Sequence, residues 1–191
     1  MFLLRETPSQ DCLDRLVARY PQIEPDAVLA IMCFMRTGAD VSECFERFLT
    51  KHGLSHGRFA ILMYLNREPE VAVNQTHLAE AYGVTKATVT GLIDGLEREG
   101  MVERLADPAD RRASLVRLTT GSRKFLDEFL PAHFRGISEL MAGLDARDRT
   151  DLTRLAGKIR EGIARLISNG TGGCDCLSPS STPSDRSSRP A

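Results

Sequence analysis

The chain has 191 residues, 42% hydrophobic and 27% charged. Its 25 Lys and Arg stand against 26 Asp and Glu, leaving a net charge of -1, which excludes a surface coated in positive charge for non-specific binding to nucleic acid or membrane. No apolar run approaches the roughly 18 residues of a membrane span, and the apolar start of MFLLRETPSQD is too short for a secretory leader; the expectation is a soluble cytoplasmic protein with one compact domain.

The first dozen residues read as loose, and residues 1–24 are expected to form a flexible N-terminal segment. From Pro25 to about Lys51 apolar residues recur at Val28, Ile31, Met32, Met35, Phe45, Phe48 and Leu49. That spacing predicts a helix about 40 Å long, with Pro25 suited to its first turn and a weak point near Gly38. A second helix runs from about Ser55 to Asn66, carrying Phe59, Leu62, Met63 and Leu65, and ends before Glu68-Pro69.

Next comes VAVNQTHLAEAYGVTKATVTGLIDGLEREGMVERL. Asn74 or Thr76 caps a short helix, and Gly83 supplies the turn after Tyr82. Thr85 caps the following helix, whose Val89, Leu92, Ile93 and Leu96 form one apolar stripe. Gly100 stops it. MVERL reads as a strand, ADPADRR as a loop and ASLVRL as the returning strand. Two more helices follow Thr119. The first holds Phe125, Leu126, Phe129 and Leu130, with a kink or interruption expected at Pro131. The last holds Leu152, Leu155, Ile159, Ile163 and Leu166, a seam suited to a partner helix. Residues 169–191 are Gly, Ser and Pro with almost no large apolar groups, a composition that predicts disorder.

Helix, glycine turn, helix and hairpin in that order make a winged helix-turn-helix pattern. The turn sets the second helix across the first so that it projects into a major groove. The helix's N-terminal amides favour phosphate. The hairpin loop carries Arg111 and Arg112 at an exposed tip within reach of phosphate or minor groove. From residue 75 to 120 six Lys and Arg face seven Asp and Glu, so any grip on DNA uses a local patch and a modest number of phosphate contacts.

The stretch LAEAYGVTKATVTGLIDGLEREGMVERLADPADRRASLVRLTTGSRKF resembles the MarR family of transcriptional regulators. The family's wing signature, Asp, any residue, Arg, five residues and Leu-Thr, is matched by Asp110, Arg112, Leu118 and Thr119. The resemblance covers roughly residues 25 to 168. It implies a mainly helical fold with a small β-wing: a DNA-binding core at about 55–119 and dimerisation helices at about 25–51 and 120–168. It implies a homodimer that offers two winged units to a palindromic double-stranded operator, most simply as a repressor. It implies that Arg112 enters the minor groove, that Asp110 orients it and that Arg111 meets phosphate. Thr76, Thr85, Lys86, Ala87, Thr88, Thr90, Gly91 and Asp94 then fall on the helices that face DNA, short hydroxyls and one ammonium suited to phosphates and thymine methyls. The family often has Arg or Lys where this chain has Gly91 and Gly95, so the groove-facing surface is small and the reading leans on the wing and DNA shape. A small, often aromatic, anionic effector is implied between the dimerisation helices and the winged unit, with Phe34, His56, Arg58 and Phe59 as candidate lining.

Other readings stand beside these. Arg111 and Arg112 also suit a solvated hairpin tip, and Thr85 to Thr90 a capped helix that touches only protein. Of five cysteines, Cys33 and Cys44 lie on the first long helix, where they read either as small buried hydrophobes or as peroxide-sensing thiols. Cys174 and Cys176 form a C-x-C in the tail. His52, His56, His77 and His133 lack metal-ligand clustering, so no metal or cofactor is expected. With no Trp in the chain and Ala60 near the position of an expected Asp, urate sensing is disfavoured. Phosphate-loop, H-E-x-x-H and G-x-S-x-G motifs are absent, so the chain is not read as an enzyme.

Overall fold

A computed structural model describes residues 8–106 and 114–168. The wing tip, with Asp110, Arg111 and Arg112, lies outside the described residues, as does the tail with Cys174 and Cys176. Among the described residues seven helices and three short strands follow in chain order: α1 (Gln10–Arg19), α2 (Pro25–Thr50), α3 (His56–Leu65), β1 (Val73–Asn74), α4 (Gln75–Tyr82), α5 (Lys86–Arg98), β2 (Val102–Ala106), β3 (Ser114–Leu118), α6 (Thr120–Leu140) and α7 (Ala146–Ser168). The architecture is mainly helical with a small antiparallel sheet of order β1-β3-β2. The chain divides into two compact units at Glu128 and Phe129, a boundary inside α6.

Local chemistry sets most helix ends. Ser55 accepts from the Arg58 amide, Asn74 from the Thr76 amide and Thr85 from the Thr88 amide, each an N-cap that satisfies an otherwise orphaned first-turn donor. Thr119 does the same for Ser122 at the start of α6 and also donates to the Gly100 carbonyl at 2.8 Å. Gly83 ends α4 at φ +63°, a left-handed conformation in which a Cβ is strained.

The core of the first unit gathers Leu62, Leu65, Leu78, Val89, Ile93, Leu96, Val102, Val116 and Leu118, all at most 2% exposed. It lies between α3, α4 and α5 and the inner face of the sheet. The hairpin pairs Val102 with Leu118 and Ala106 with Ser114, and β1 adds Val73 opposite Val116 on the other side of β3. Arg117 and Glu103 sit opposite one another in that register and pair at 2.6 Å.

Three features depart from the sequence expectations. The segment before Pro25, expected to be flexible, holds α1. Ser9 caps it, and it buries Leu13 to 2% exposure; a cap and one deeply buried leucine on a clear apolar stripe hold a helix that is polar on average. Helix α6 runs uninterrupted through Pro131, and α2 through Gly38. Cys33 and Cys44 are exposed rather than buried, because they lie on the open side of α2, whose only fully buried residue is Leu49.

Candidate nucleic-acid interface

Helix α5 is held by one face and open on the other. Val89, Ile93 and Leu96 are fully buried, whereas Thr85, Lys86, Ala87, Thr88, Thr90, Gly91 and Asp94 are exposed. The exposed set is the one the sequence pattern places toward a groove. Thr85 and Thr88 share their hydroxyls at 2.9 Å, which fixes the first turn. Its remaining N–H groups have no intrahelical acceptor and carry the positive end of the helix dipole. Thr76, on α4, is half-buried, and its amide is taken by Asn74.

Glycines at the two family-variant positions differ in surroundings. At Gly91 a Cβ would meet nothing within 4 Å, so this position is open surface. At Gly95 a Cβ would stand 3.0 Å from the Arg58 guanidinium, which crosses α5 there on its way to Glu99 at 2.5 Å. Gly95 therefore faces protein, and its missing side chain is the seat of Arg58. Gly57 makes the matching approach one turn away, where a Cβ would meet Leu92 at 3.1 Å.

Ion pairs tie the hairpin to α5. Arg104 on β2 reaches back to Asp94 at 2.5 Å and also pairs with Glu97. The Asp94 hydrogen bond, the largest cause, together with both carboxylates outweighs desolvation and raises the guanidinium pKa, so Arg104 stays charged. Asp94 is thus exposed but engaged, its charge balanced by Arg104 beside the exposed face of α5. On the other side Gln75 accepts from Thr90 at 3.3 Å and donates to Ser114 at 2.7 Å. The sequence reading named neither Arg104 nor Gln75. Both act across folded distances, and only the alternation of β2 could have pointed to Arg104.

Helix α4 is docked on α3 by Tyr82, whose hydroxyl donates to the Ala60 carbonyl at 2.6 Å. Burial, with a smaller push from Tyr64, raises its phenol pKa against the opposing charge of Arg67. The candidate effector residues are dispersed in role. Phe34 is 45% exposed on α2, His56 is exposed at the start of α3, Phe59 is core, and Arg58 is engaged by Glu99. Among the described residues no three His, Cys, Asp or Glu side chains gather to hold a metal, and no helix is long and apolar enough to cross a membrane.

A profile of the MarR family matches residues 52–113. Over 161 residues the chain is 30% identical to the HTH-type transcriptional repressor YetL of Bacillus subtilis (strain 168), covering 84% of this chain and 96% of that protein. The chain belongs to the MarR family. It is a transcription regulator, not an enzyme. Solved MarR-family structures share its fold. The S. aureus MepR–DNA complex gives a TM-score of 0.61 at 20% identity, covering 69% of this chain and 94% of that one. A cysteine-to-serine mutant of E. coli MarR complexed with operator DNA gives 0.62 at 21%, covering 70% and 96%. Against the MarR-family wing signature, Leu118 is 1% exposed core and Thr119 caps α6. Half of the motif is therefore structural, and its other half, Asp110 and Arg112, lies outside the described residues.

Proposed function

We propose that this MarR-family chain is a cytoplasmic homodimeric repressor that binds a palindromic operator and releases it when a small, often aromatic, anionic effector binds. The observation that carries the reading is the division of α5: one face locked in the core, the other a run of exposed small polar residues opened by a capped N-terminus. It is supported by the relative named as a repressor and by the neighbours titled as DNA complexes. Thr85, Lys86, Ala87, Thr88, Thr90 and Gly91 lie against the major groove, with Thr76 on the flanking backbone. Arg112 enters the minor groove, oriented by Asp110, while Arg111 meets phosphate. Asp94 contributes through Arg104, which keeps its carboxylate from repelling the duplex.

An effector fixes the spacing of the two recognition helices. Half-sites lie about one helical turn apart, so a fixed wrong spacing favours the unbound state. An effector seated at Phe34, His56, Arg58 and Phe59 has to draw Arg58 away from Glu99, which frees α5 at Gly95.

The test is a mobility-shift titration on the DNA just upstream of the gene. Arg112→Ala is expected to weaken binding far more than Lys86→Ala, and the affinity to fall with salt along a shallow slope. Equal losses, or no shift at low salt without effector, overturn the reading. A thiol-sensing form of the same regulator is favoured by one observation, the exposure of Cys33 and Cys44. Peroxide then releases DNA from wild type but not from Cys33→Ser or Cys44→Ser.

A further inference from the structure

We propose that Gln75 is a positioning residue that sets the wing in register with the recognition helix. It is the first residue of α4 and half-buried. Its amide joins two elements that are remote in sequence. The carbonyl oxygen accepts from Thr90 Oγ1 on the groove side of α5, and the NH2 donates to Ser114 Oγ at the root of β3. Ser114 is the first residue after 107–113, the segment that carries Arg111 and Arg112. Asn74, next in chain to Gln75, pairs with Leu115 beside it, so the backbone already holds Gln75 against the strand and the side chain spans only the remaining gap.

A neutral amide suits the place. Both partners are hydroxyls that can donate or accept, and the amide bonds each of them without adding charge beside phosphates. The other strand of the hairpin has its own tie to α5, through Arg104. Gln75 is the tie on the strand that receives the chain from the tip. Thr90 is exposed and Ser114 half-buried, so these bonds add little to folding but fix where the tip starts relative to α5.

This inference rests on the DNA reading above, and the experiment separates the two. Full-length wild type, Gln75→Met, Arg112→Ala and the double variant are titrated onto the upstream fragment by fluorescence anisotropy, with thermal melts alongside. Methionine keeps the length and removes both bonds. Gln75→Met is expected to bind about tenfold more weakly, with a melting temperature within about 2 °C of wild type. In the double variant the Arg112→Ala penalty shrinks, because a wing out of register has little grip to lose. Ser114→Ala is expected to reproduce the Gln75→Met loss. Wild-type affinity in Gln75→Met, fully multiplicative penalties, or a melting temperature that falls in step with affinity overturns the inference alone. A wild type that ignores the fragment, or an Arg112→Ala variant without penalty, overturns the DNA reading and the inference with it.

Discussion

At the scale of single residues, α5 shows how one residue type serves opposite ends. Gly83 precedes the helix at φ +63°, where any Cβ is strained, whereas Gly91 sits in regular helix with open space around it. Substituting alanine therefore acts with opposite sign. Gly91→Ala restricts the unfolded chain and meets no atom, so it should stabilise by about 0.5–1 kcal/mol. Gly83→Ala forces the left-handed region and should destabilise by about 1 kcal/mol or more. Urea unfolding of both variants reads the two signs, and a loss of stability in Gly91→Ala would mean that its surroundings are not open. Gly95 belongs to neither case. It leaves room for Arg58, so the long donor common in the family at that position cannot be restored here without evicting the Arg58–Glu99 pair.

At the scale of elements, helix boundaries were legible where the signal is local. Ser55, Asn74, Thr85, Gly83 and Gly100 lie within a turn of the ends they set, and short-range chemistry fixes a cap whatever the rest of the fold does. Helix α1 went unread although Cys12, Leu13, Leu16 and Val17 recur at helical spacing behind a Ser9 cap, and strand β1 was not legible. The first depends on burying Leu13, and the second is two residues that exist as a strand only because β3 is there to pair with. The site divides the same way. The exposed face of α5 follows from its 3.6-residue period, while the Asp94–Arg104 and Thr90–Gln75–Ser114 ties require the fold to be known. Helix α6 adds a buried histidine whose protonation is costly. His133 is 9% exposed and stacks at 6.0 Å on Phe129, with Phe134 at 5.6 Å. Burial lowers its pKa below the ordinary 6.5. The unfolded chain then takes up a proton near pH 6.5 that the folded chain resists, so the unfolded state binds more protons and stability rises with pH in this window. Acidification from pH 7.5 to 5.5 should lower the urea midpoint, and His133→Leu should flatten that slope. A slope unchanged by the substitution would assign the effect to other groups.

At the scale of the whole molecule, the described residues leave apolar surface open. Helix α7 has no fully buried residue, and Leu152, Leu155, Ile163, Leu166 and Ile167 are all 42–58% exposed along it. On α2, Ile31, Phe34 and Met35 are similarly open. Taken by itself, each face is more apolar surface than a monomer usually leaves open, and the repeat of α7 is that of a helix seam. In the proposed homodimer a second copy presents the same faces, and an isologous two-fold interface would take each of them out of water. Under the proposed function, two winged units joined this way would make the second contact on a palindrome intramolecular, raising affinity by about 10²–10⁴ over one unit alone. The full chain should therefore sediment at twice its 21.1 kDa mass. Ile163→Glu places a charge in the seam and should shift the species toward a single chain, and because Ile163 lies far in sequence from 55–119 it leaves the winged unit's residues untouched. Its affinity for the two-half-site fragment should drop by about a hundredfold or more, while its affinity for a single half-site stays near that of wild type. A wild type that sediments as one chain, or an Ile163→Glu dimer with undiminished operator affinity, would remove these faces from the interface.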